Sequence, residues 1–370
     1  MRQHHLPFIV ILLLLAAAPV AADQADDYIT AAMRRRNIPA LALCVLRDGK
    51  VVKQKAYGQA SVELGVPATT GTVFPLASIT KTFTAAGIMA LVEERKVSLD
   101  DPARRFLPRL PPSWAGVTVR HLLTHTSGLP DVVVDDDLGT YISETREDAL
   151  KKLAAVQLSG RPGTKSEYNE TNYVLLAMII EKLSGLSYEQ YMNGRFFRPL
   201  DMGATAFGDT RELIPHRASV YTRYQIREGK SVLSPGKLWN YQYVYPAYTY
   251  AGAGLNASLA DLIKWDAALG EGRVLKPATL EQMWTAAKLK NGRASRLKGP
   301  AVGWGAGWMV NDAPHHKAVF HTGGDASAYA RFLDDKLSVI ILTNCQGAEP
   351  ATLLQGVAAL YAPALAGGKE

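Results

Sequence analysis

The stretch Pro39-Ala-Leu-Ala-Leu-Cys-Val-Leu-Arg-Asp-Gly-Lys-Val-Val52 holds two apolar runs joined by an Asp-Gly pair. Such a pair between apolar runs signals a β-hairpin, because both residues tolerate the positive φ that a tight two-residue turn demands. The second run continues to Tyr57-Gly58. Near the other end of the chain, Lys317 to His321, Tyr329 to Leu333 and Leu337 to Asn344 are three more short runs, the last two separated by Asp334-Asp335-Lys336. They predict an antiparallel meander. Between these ends, Thr80 to Lys96, Thr171 to Ser184 closed by Gly185, and Ser258 to Leu269 closed by Gly270 carry helical spacing with caps. The pattern predicts a mixed α/β fold in which one antiparallel sheet, flanked by helices, is assembled from both chain ends and a helical domain is inserted. Residues 23–72 and 296–370 are assigned to the sheet domain and 73–295 to the mainly helical one. A site is expected where the two meet.

Composition narrows the class. The 370 residues are 48% hydrophobic and 20% charged, with 31 Gly and 20 Pro scattered without period, which excludes a disordered chain, a collagen-like repeat and a polytopic membrane protein. The formal charge is +7, but acidic and basic residues interleave, so no nucleic-acid partner is indicated. Two cysteines, Cys44 and Cys345, cannot build a four-cysteine zinc site; as both neighbourhoods are apolar, buried thiols are expected rather than a disulfide. Met1-Arg-Gln-His-His5, an apolar run from Phe8 to Ala18 and Pro19-Val-Ala-Ala22 follow the order of a secretory signal peptide over residues 1–22, cleaved after Ala22. An uncleaved anchor is the rival reading. The mature chain is expected in the periplasm or outside the cell, with no stable membrane insertion.

Gly-x-Ser-x-Gly, the phosphate-binding glycine loop and His-Glu-x-x-His are all missing. His121 and His125 stand four apart and could share a helix face, but no third ligand completes a metal site, so none is expected. Gly252-Ala-Gly254 and Gly303-Trp-Gly305-Ala-Gly307 read as tight turns rather than a dinucleotide site. Ser-x-x-Lys, which places a hydroxyl and an amine one helical turn apart, occurs three times: Ser78-Ile-Thr-Lys81, Ser234-Pro-Gly-Lys237 and Ser295-Arg-Leu-Lys298. Only Ser78 opens a long apolar-periodic helix. There the backbone N–H groups of a helix start favour developing negative charge.

Ser78-Ile-Thr-Lys81, His121-Leu-Leu-Thr-His-Thr-Ser-Gly-Leu-Pro130, Pro162-Gly-Thr-Lys-Ser-Glu-Tyr-Asn-Glu-Thr-Asn-Tyr173, Ala251-Gly-Ala-Gly-Leu255 and His321-Thr-Gly-Gly324 follow one another in order. Over roughly Ala25 to Tyr361 the chain resembles the serine beta-lactamase-related superfamily. The likeness is to the branch of class C beta-lactamases, D-alanyl-D-alanine carboxypeptidases, family VIII esterases and D-aminopeptidases. The resemblance implies a cofactor-independent acyl-enzyme mechanism with Ser78 as nucleophile, Lys81 as its proton partner and Tyr168 as second acid or base. It also implies an oxyanion hole from the backbone N–H groups of Ser78 and Gly324, the latter on a strand edge, with Glu170, His321, Thr322 and Gly323 lining the substrate site.

Two departures from the family pattern bear on substrate. His321 stands where Lys is usual, replacing a permanent cation with a group mostly neutral at pH 7. Tyr168-Asn169-Glu170 stands for Tyr-x-Asn; the motif's amide is Asn169 if the alignment slips by one residue, and otherwise Glu170 replaces it. Both changes make the pocket less attractive to a carboxylate, which points to an exported esterase or amidase for small-molecule or short-peptide substrates. A beta-lactamase or D-alanyl-D-alanine carboxypeptidase is the first alternative, and a non-catalytic ligand sensor or envelope scaffold the second. Glu170 beside Lys81 would stabilise the ammonium and shift the base role towards Tyr168. Tyr241, Tyr243 and Tyr245 alternate along an extended segment, either as an aromatic wall or as packing between domains. Thr126-Ser127-Gly128 and Asp135 to Asp137 are read as surface loop, and Lys288, Lys290, Arg293, Arg296 and Lys298 as a solvated basic loop.

Overall fold

The computed structural model describes residues 20–367 apart from 137–138, 142–144, 229, 235 and 297–301. The predicted signal segment, as far as residue 19, lies outside the described residues, as do Asp137 and Lys298. The elements that position the site are helices α1 (Val20–Arg36), α2 (Thr80–Glu93), α3 (Val119–Leu123), α4 (Thr171–Ser184), α5 (Tyr250–Ala253), α6 (Leu259–Gly270) and α7 (Pro350–Tyr361). The strands are β1 (Ala40–Arg47), β2 (Lys50–Ser61), β3 (Val66–Pro67), β4 (Val73–Pro75), β5 (Tyr224–Arg227), β6 (Lys230–Leu233), β7 (Leu255–Ser258), β8 (Val302–Trp304), β9 (Met309–Asn311), β10 (Ala318–Gly323), β11 (Ser327–Phe332) and β12 (Leu337–Thr343).

Asp48 and Gly49 take φ of 49° and 74°, the two left-handed residues of a tight hairpin turn, and Arg47 pairs with Lys50 across it. β1 pairs antiparallel on its other side with β12, Leu41 opposite Thr343 and Arg47 opposite Leu337. The meander of β10, β11 and β12 completes an antiparallel sheet of eight strands in the order β8-β9-β10-β11-β12-β1-β2-β3. It draws on both ends of the chain, as the two sets of apolar runs predict.

β1 is buried on both faces, which is why its sequence is a continuous apolar run rather than an alternating one. Ala40, Ala42, Cys44 and Leu46 join a core shared with α2, α4 and α6, whereas Leu41, Leu43 and Val45 face a second core under α1 and α7. The thiols of Cys44 and Cys345 are free and buried. α2 is buried nearly all round, its polar first residues Thr80, Lys81, Thr82 and Thr84 included, with Phe83 stacked at 4.2 Å on Trp265 of α6. Sheet and helices are also tied by charge: Asp266 Oδ1 of α6 accepts from Tyr329 OH (2.6 Å) and Arg331 Nη1 (2.5 Å) of β11.

Several local expectations shift. α2 stops at Glu93 rather than Lys96 because Arg95 turns left-handed (φ 58°) and Lys96 N–H closes back on the Leu91 carbonyl. α3 ends before His125, whose φ is 52°, so His121 and His125 do not share a helix face. Gly252 sits inside one-turn helix α5 and Gly254 just after it at φ −89°, so this glycine pair is not a tight turn. Thr126-Ser127-Gly128 is buried rather than a surface loop, with Ser127 Oγ donating to Asn172 Oδ1 at 2.6 Å.

Candidate active site

β4 leads into a single 3₁₀ turn, Ala77–Ile79, that opens onto α2. Ala77 is held at φ 43°, a strained value for a residue with a Cβ, and this corner presents Ser78 at the head of the buried helix. One turn on, Lys81 is completely buried. Its Nζ donates to Ser78 Oγ at 3.4 Å, to Glu170 Oε1 at 2.6 Å and to the Gly252 carbonyl at 3.0 Å. Tyr168 OH donates to Ser78 Oγ at 2.7 Å, and Lys81 Nζ lies 4.6 Å from the centre of the Tyr168 ring.

The segment carrying Tyr168 and Glu170 is stapled in place at the start of α4. Asn169 spends its amide on the Leu129 carbonyl (2.7 Å) and its Oδ1 on the Asn172 N–H (3.2 Å). The side chain that reaches Lys81 is therefore that of Glu170. Thr171 Oγ1 donates to the Pro130 carbonyl, and Asp131 Oδ1 accepts the Glu170 N–H at 3.0 Å. α5 closes the other side: a Cβ on Gly252 would meet Glu170 Oε2 and come within 3.4 Å of Lys81 Nζ, so a side chain here would displace the Glu170 carboxylate from its place beside Lys81.

Burial and charge act differently on each group. Burial pulls the Lys81 ammonium below its ordinary value, against the opposing pull of Glu170 and then Asp131. Burial, reinforced by the Glu170 charge, holds the Tyr168 phenol well above its ordinary range. These directions run against the expectation that Glu170 shifts the base role to Tyr168. The phenol is kept protonated and the amine is eased towards neutrality. Burial also raises the Asp131 carboxyl to about 6.

His321 and Gly323 lie on the inner face of β10. The His321 ring is buried, and its Nδ1 donates to the Thr322 carbonyl at 2.7 Å, leaving an unprotonated Nε2. Burial, then the Lys81 charge, drops the imidazole to about 3, so it is neutral at physiological pH. Thr322 does not join this group: it pairs with Ala328 and shares the outer face with Phe320 and Leu354. β10 lies inside the sheet rather than at its margin, but β9 pairs only as far as Phe320, leaving residues 321–323 beyond the end of that partner. This end abuts the serine turn. A Cβ on Gly323 would overlap the Leu76 carbonyl oxygen, and one on Gly324 would lie 3.3 Å from the Ala77 methyl.

His125 belongs to this site although its residue type pointed only to a metal. Its buried ring stacks on Tyr168 with centroids 4.5 Å apart and touches Trp304 at 4.7 Å. His125 Nδ1 accepts the Asn169 N–H at 3.1 Å, so the proton sits on Nε2; burial, then Lys81, keeps the ring well below its usual value. The signal was its place in His121-Leu-Leu-Thr-His-Thr-Ser-Gly128. Asp131 stands three residues after Gly128, and Trp304 lies in Gly303-Trp-Gly305-Ala-Gly307, a stretch that read only as tight turns. Tyr241, Tyr243 and Tyr245 do form a row, with centroids 6.2 and 5.6 Å apart. Among the described residues no group of His, Cys, Asp and Glu is arranged to hold a metal ion.

A hydroxyl held between a buried amine and a phenol, at a helix start and beside a glycine turn, is a constellation for acyl transfer. The family described as Beta-lactamase matches residues 25–362, and the chain belongs to it. It is 32% identical over 308 residues to penicillin-binding protein 4* of Bacillus subtilis (strain 168), covering 80% of this chain and 66% of that protein. It is 27% identical to protein flp of Staphylococcus aureus (strain N315), covering 81% and 58%. The chain thus spans two thirds or less of the length of these curated relatives. Its structure matches that of the octameric penicillin-binding protein homologue from Pyrococcus abyssi with a TM-score of 0.73 and 30% identity, over 95% of this chain and 78% of that one. The fold also matches EstCE1, a hydrolase with promiscuous acyltransferase activity, with a TM-score of 0.77 and 24% identity, over 92% and 98%.

Proposed function

We propose that the protein is an exported esterase or amidase acting through a Ser78 acyl-enzyme on substrates without a carboxylate beside the scissile bond. The observation that carries this reading is the hydrogen-bonded group of Ser78, Lys81, Tyr168 and Glu170, together with a neutral, buried His321. Lys81 takes the serine proton as Oγ attacks the substrate carbonyl, and the Glu170 carboxylate at 2.6 Å stabilises the ammonium that results. The N–H groups of Ser78 and Gly324 receive the developing oxyanion. Tyr168, kept protonated, donates to the departing alkoxide or amine as the bond to it breaks, and Lys81 returns a proton to the phenol. Water then attacks the ester of Ser78, the proton path reverses, and the free acid leaves.

Replacing the family's cation with a neutral imidazole, and its amide with a carboxylate paired to Lys81, removes the usual attraction for a substrate carboxylate. A beta-lactamase or D-alanyl-D-alanine carboxypeptidase is the second reading, favoured by the 32% identity to a penicillin-binding protein. Export rests on the residue order of 1–22. Among the described residues no helix is long and apolar enough to cross a membrane. Division into a discontinuous sheet domain (23–72 and 296–370) and a helical domain (73–295) is part of the same proposal.

The deciding experiment is intact-mass analysis after brief exposure to a fluorophosphonate, a short-chain p-nitrophenyl ester or a cephalosporin, with Ser78→Ala as control. The expected result is a phosphonyl adduct, formed as Oγ displaces fluoride, and ester turnover, both lost in Ser78→Ala, with little reaction of the cephalosporin. Rapid cephalosporin turnover would install the second reading. A wild-type chain unlabelled by every probe would overturn both and leave the non-catalytic sensor or scaffold.

A further inference from the structure

The turn that carries Gly324 is itself held by a contact that the catalytic group does not use. Between β10 and β11 the chain reverses through Gly324 and Asp325, with φ of 55° and 53°, and the Ala326 N–H closes on the Gly323 carbonyl at 2.9 Å. Aspartate tolerates left-handed φ better than most residues with a Cβ, yet it is not the resting choice, so something else must fix it. Three groups do. The N–H groups of Gly347 and Ala348 both donate to the Asp325 carbonyl at 3.1 Å, and Tyr224 OH donates to Asp325 Oδ2 at 3.2 Å.

Tyr224 is well placed to hold this turn from outside. It starts the β5–β6 hairpin, whose root is pinned by the Arg223 N–H on the Gln346 carbonyl (3.1 Å), Arg223 Nη1 on the Gly347 carbonyl (2.6 Å) and the Ser234 N–H on the Arg223 carbonyl (2.7 Å). Its ring packs against Gly347, where a Cβ would come within 3.3 Å of it and where φ is 91°. Burial raises the Tyr224 phenol above its ordinary value, which keeps it a donor. The residue this clamp holds, Asp325, directly follows Gly324.

We propose that Tyr224 and Asp325 are a positioning pair that sets the direction of the Gly324 N–H, a role that rests on the acyl-enzyme reading above. An oxyanion donor is felt mainly in the transition state, so loosening it lowers kcat and leaves KM nearly unchanged. Tyr224→Phe removes one hydroxyl and nothing else. Asp325→Ala removes the acceptor and worsens the left-handed turn, whereas Asp325→Asn keeps an acceptor and a residue that tolerates that φ.

The test is ester kinetics and fluorophosphonate labelling rates for these variants beside melting temperatures. The expected result is a fall in kcat of roughly 10-fold for Tyr224→Phe, with KM within about twofold of wild type and a near-native melting temperature. Asp325→Asn retains most of the activity, and Tyr224→Phe combined with Asp325→Ala is no worse than Asp325→Ala alone, as a shared contact requires. Should Asp325→Ala fail to fold, Tyr224→Phe against Asp325→Asn still decides. Unchanged kcat in Tyr224→Phe, a loss carried by KM, or additive losses would overturn the pair. A wild-type chain that does not label at Ser78 would instead overturn the functional reading; labelling at Ser78 at the same rate in all variants would sink only the positioning role.

Discussion

Glu170 is the residue that most sets this site apart. A carboxylate 2.6 Å from a buried ammonium favours its charged form, while burial does the reverse, and the second influence is the larger. The sign of a substitution follows. In Glu170→Gln the larger part of the opposing pull is gone and only that of Asp131 remains, so Lys81 becomes neutral at lower pH and the rising limb of kcat/KM moves to lower pH. The plateau falls as well, because the ammonium formed during attack has lost its partner. A rising limb that moves to higher pH would contradict Lys81 as the base. Ser78 and Lys81 were legible from spacing and from the helix they open. Tyr168 and Glu170 were legible only from an ordered set of motifs, since a tyrosine before a helix start is common in packing. His125 was not legible as a neighbour of Tyr168, because the left-handed turn that swings it out of line with His121 leaves no trace in helical periodicity.

At the scale of elements, the hairpin of β1 and β2, the meander of β10 to β12 and α4 closed by Gly185 at φ 71° were all readable, because turn chemistry and periodicity are local. The pairing of β4 with β7 was not. Val73 meets Ser258 and Pro75 meets Asn256 across more than 180 residues of chain, in strands of three and four residues too short to show a period. Nor was α5, whose Ala-Gly-Ala-Gly composition resembles a turn yet forms one helical turn against Glu170. Close approach gives these glycines their meaning. In Gly323→Ala the new methyl would overlap the Leu76 carbonyl, forcing β10 away from the serine turn. The expected outcome is a loss of ~1–3 kcal/mol in stability and at least tenfold in kcat, read by denaturation and ester kinetics. Wild-type values of both would mean that β10 and the serine turn can separate without consequence.

Across the whole molecule, two cores share one sheet, and the inner one is continuous from β1 into the helices. What the pattern of apolar runs could not convey is how firmly the layers are joined, since the join is partly ionic. The Arg331 side chain is only 14% exposed, and Asp266 supplies both a side-chain and a backbone oxygen to it. Asp266→Ala would leave that guanidinium buried without its counter-charge, at an expected cost of ~3–5 kcal/mol. Thermal unfolding would register this as a large drop in Tm, whereas a drop of only a degree or two would mean that Arg331 relaxes to solvent. The outer layer has a more practical bearing. Helices α1 and α7 pack together on the side of the sheet opposite Ser78, so a linker joined to either would emerge on the face away from that serine. Coupled to a bead or displayed on a cell through either helix, the protein would turn its Ser78 side towards the surrounding solution rather than the support.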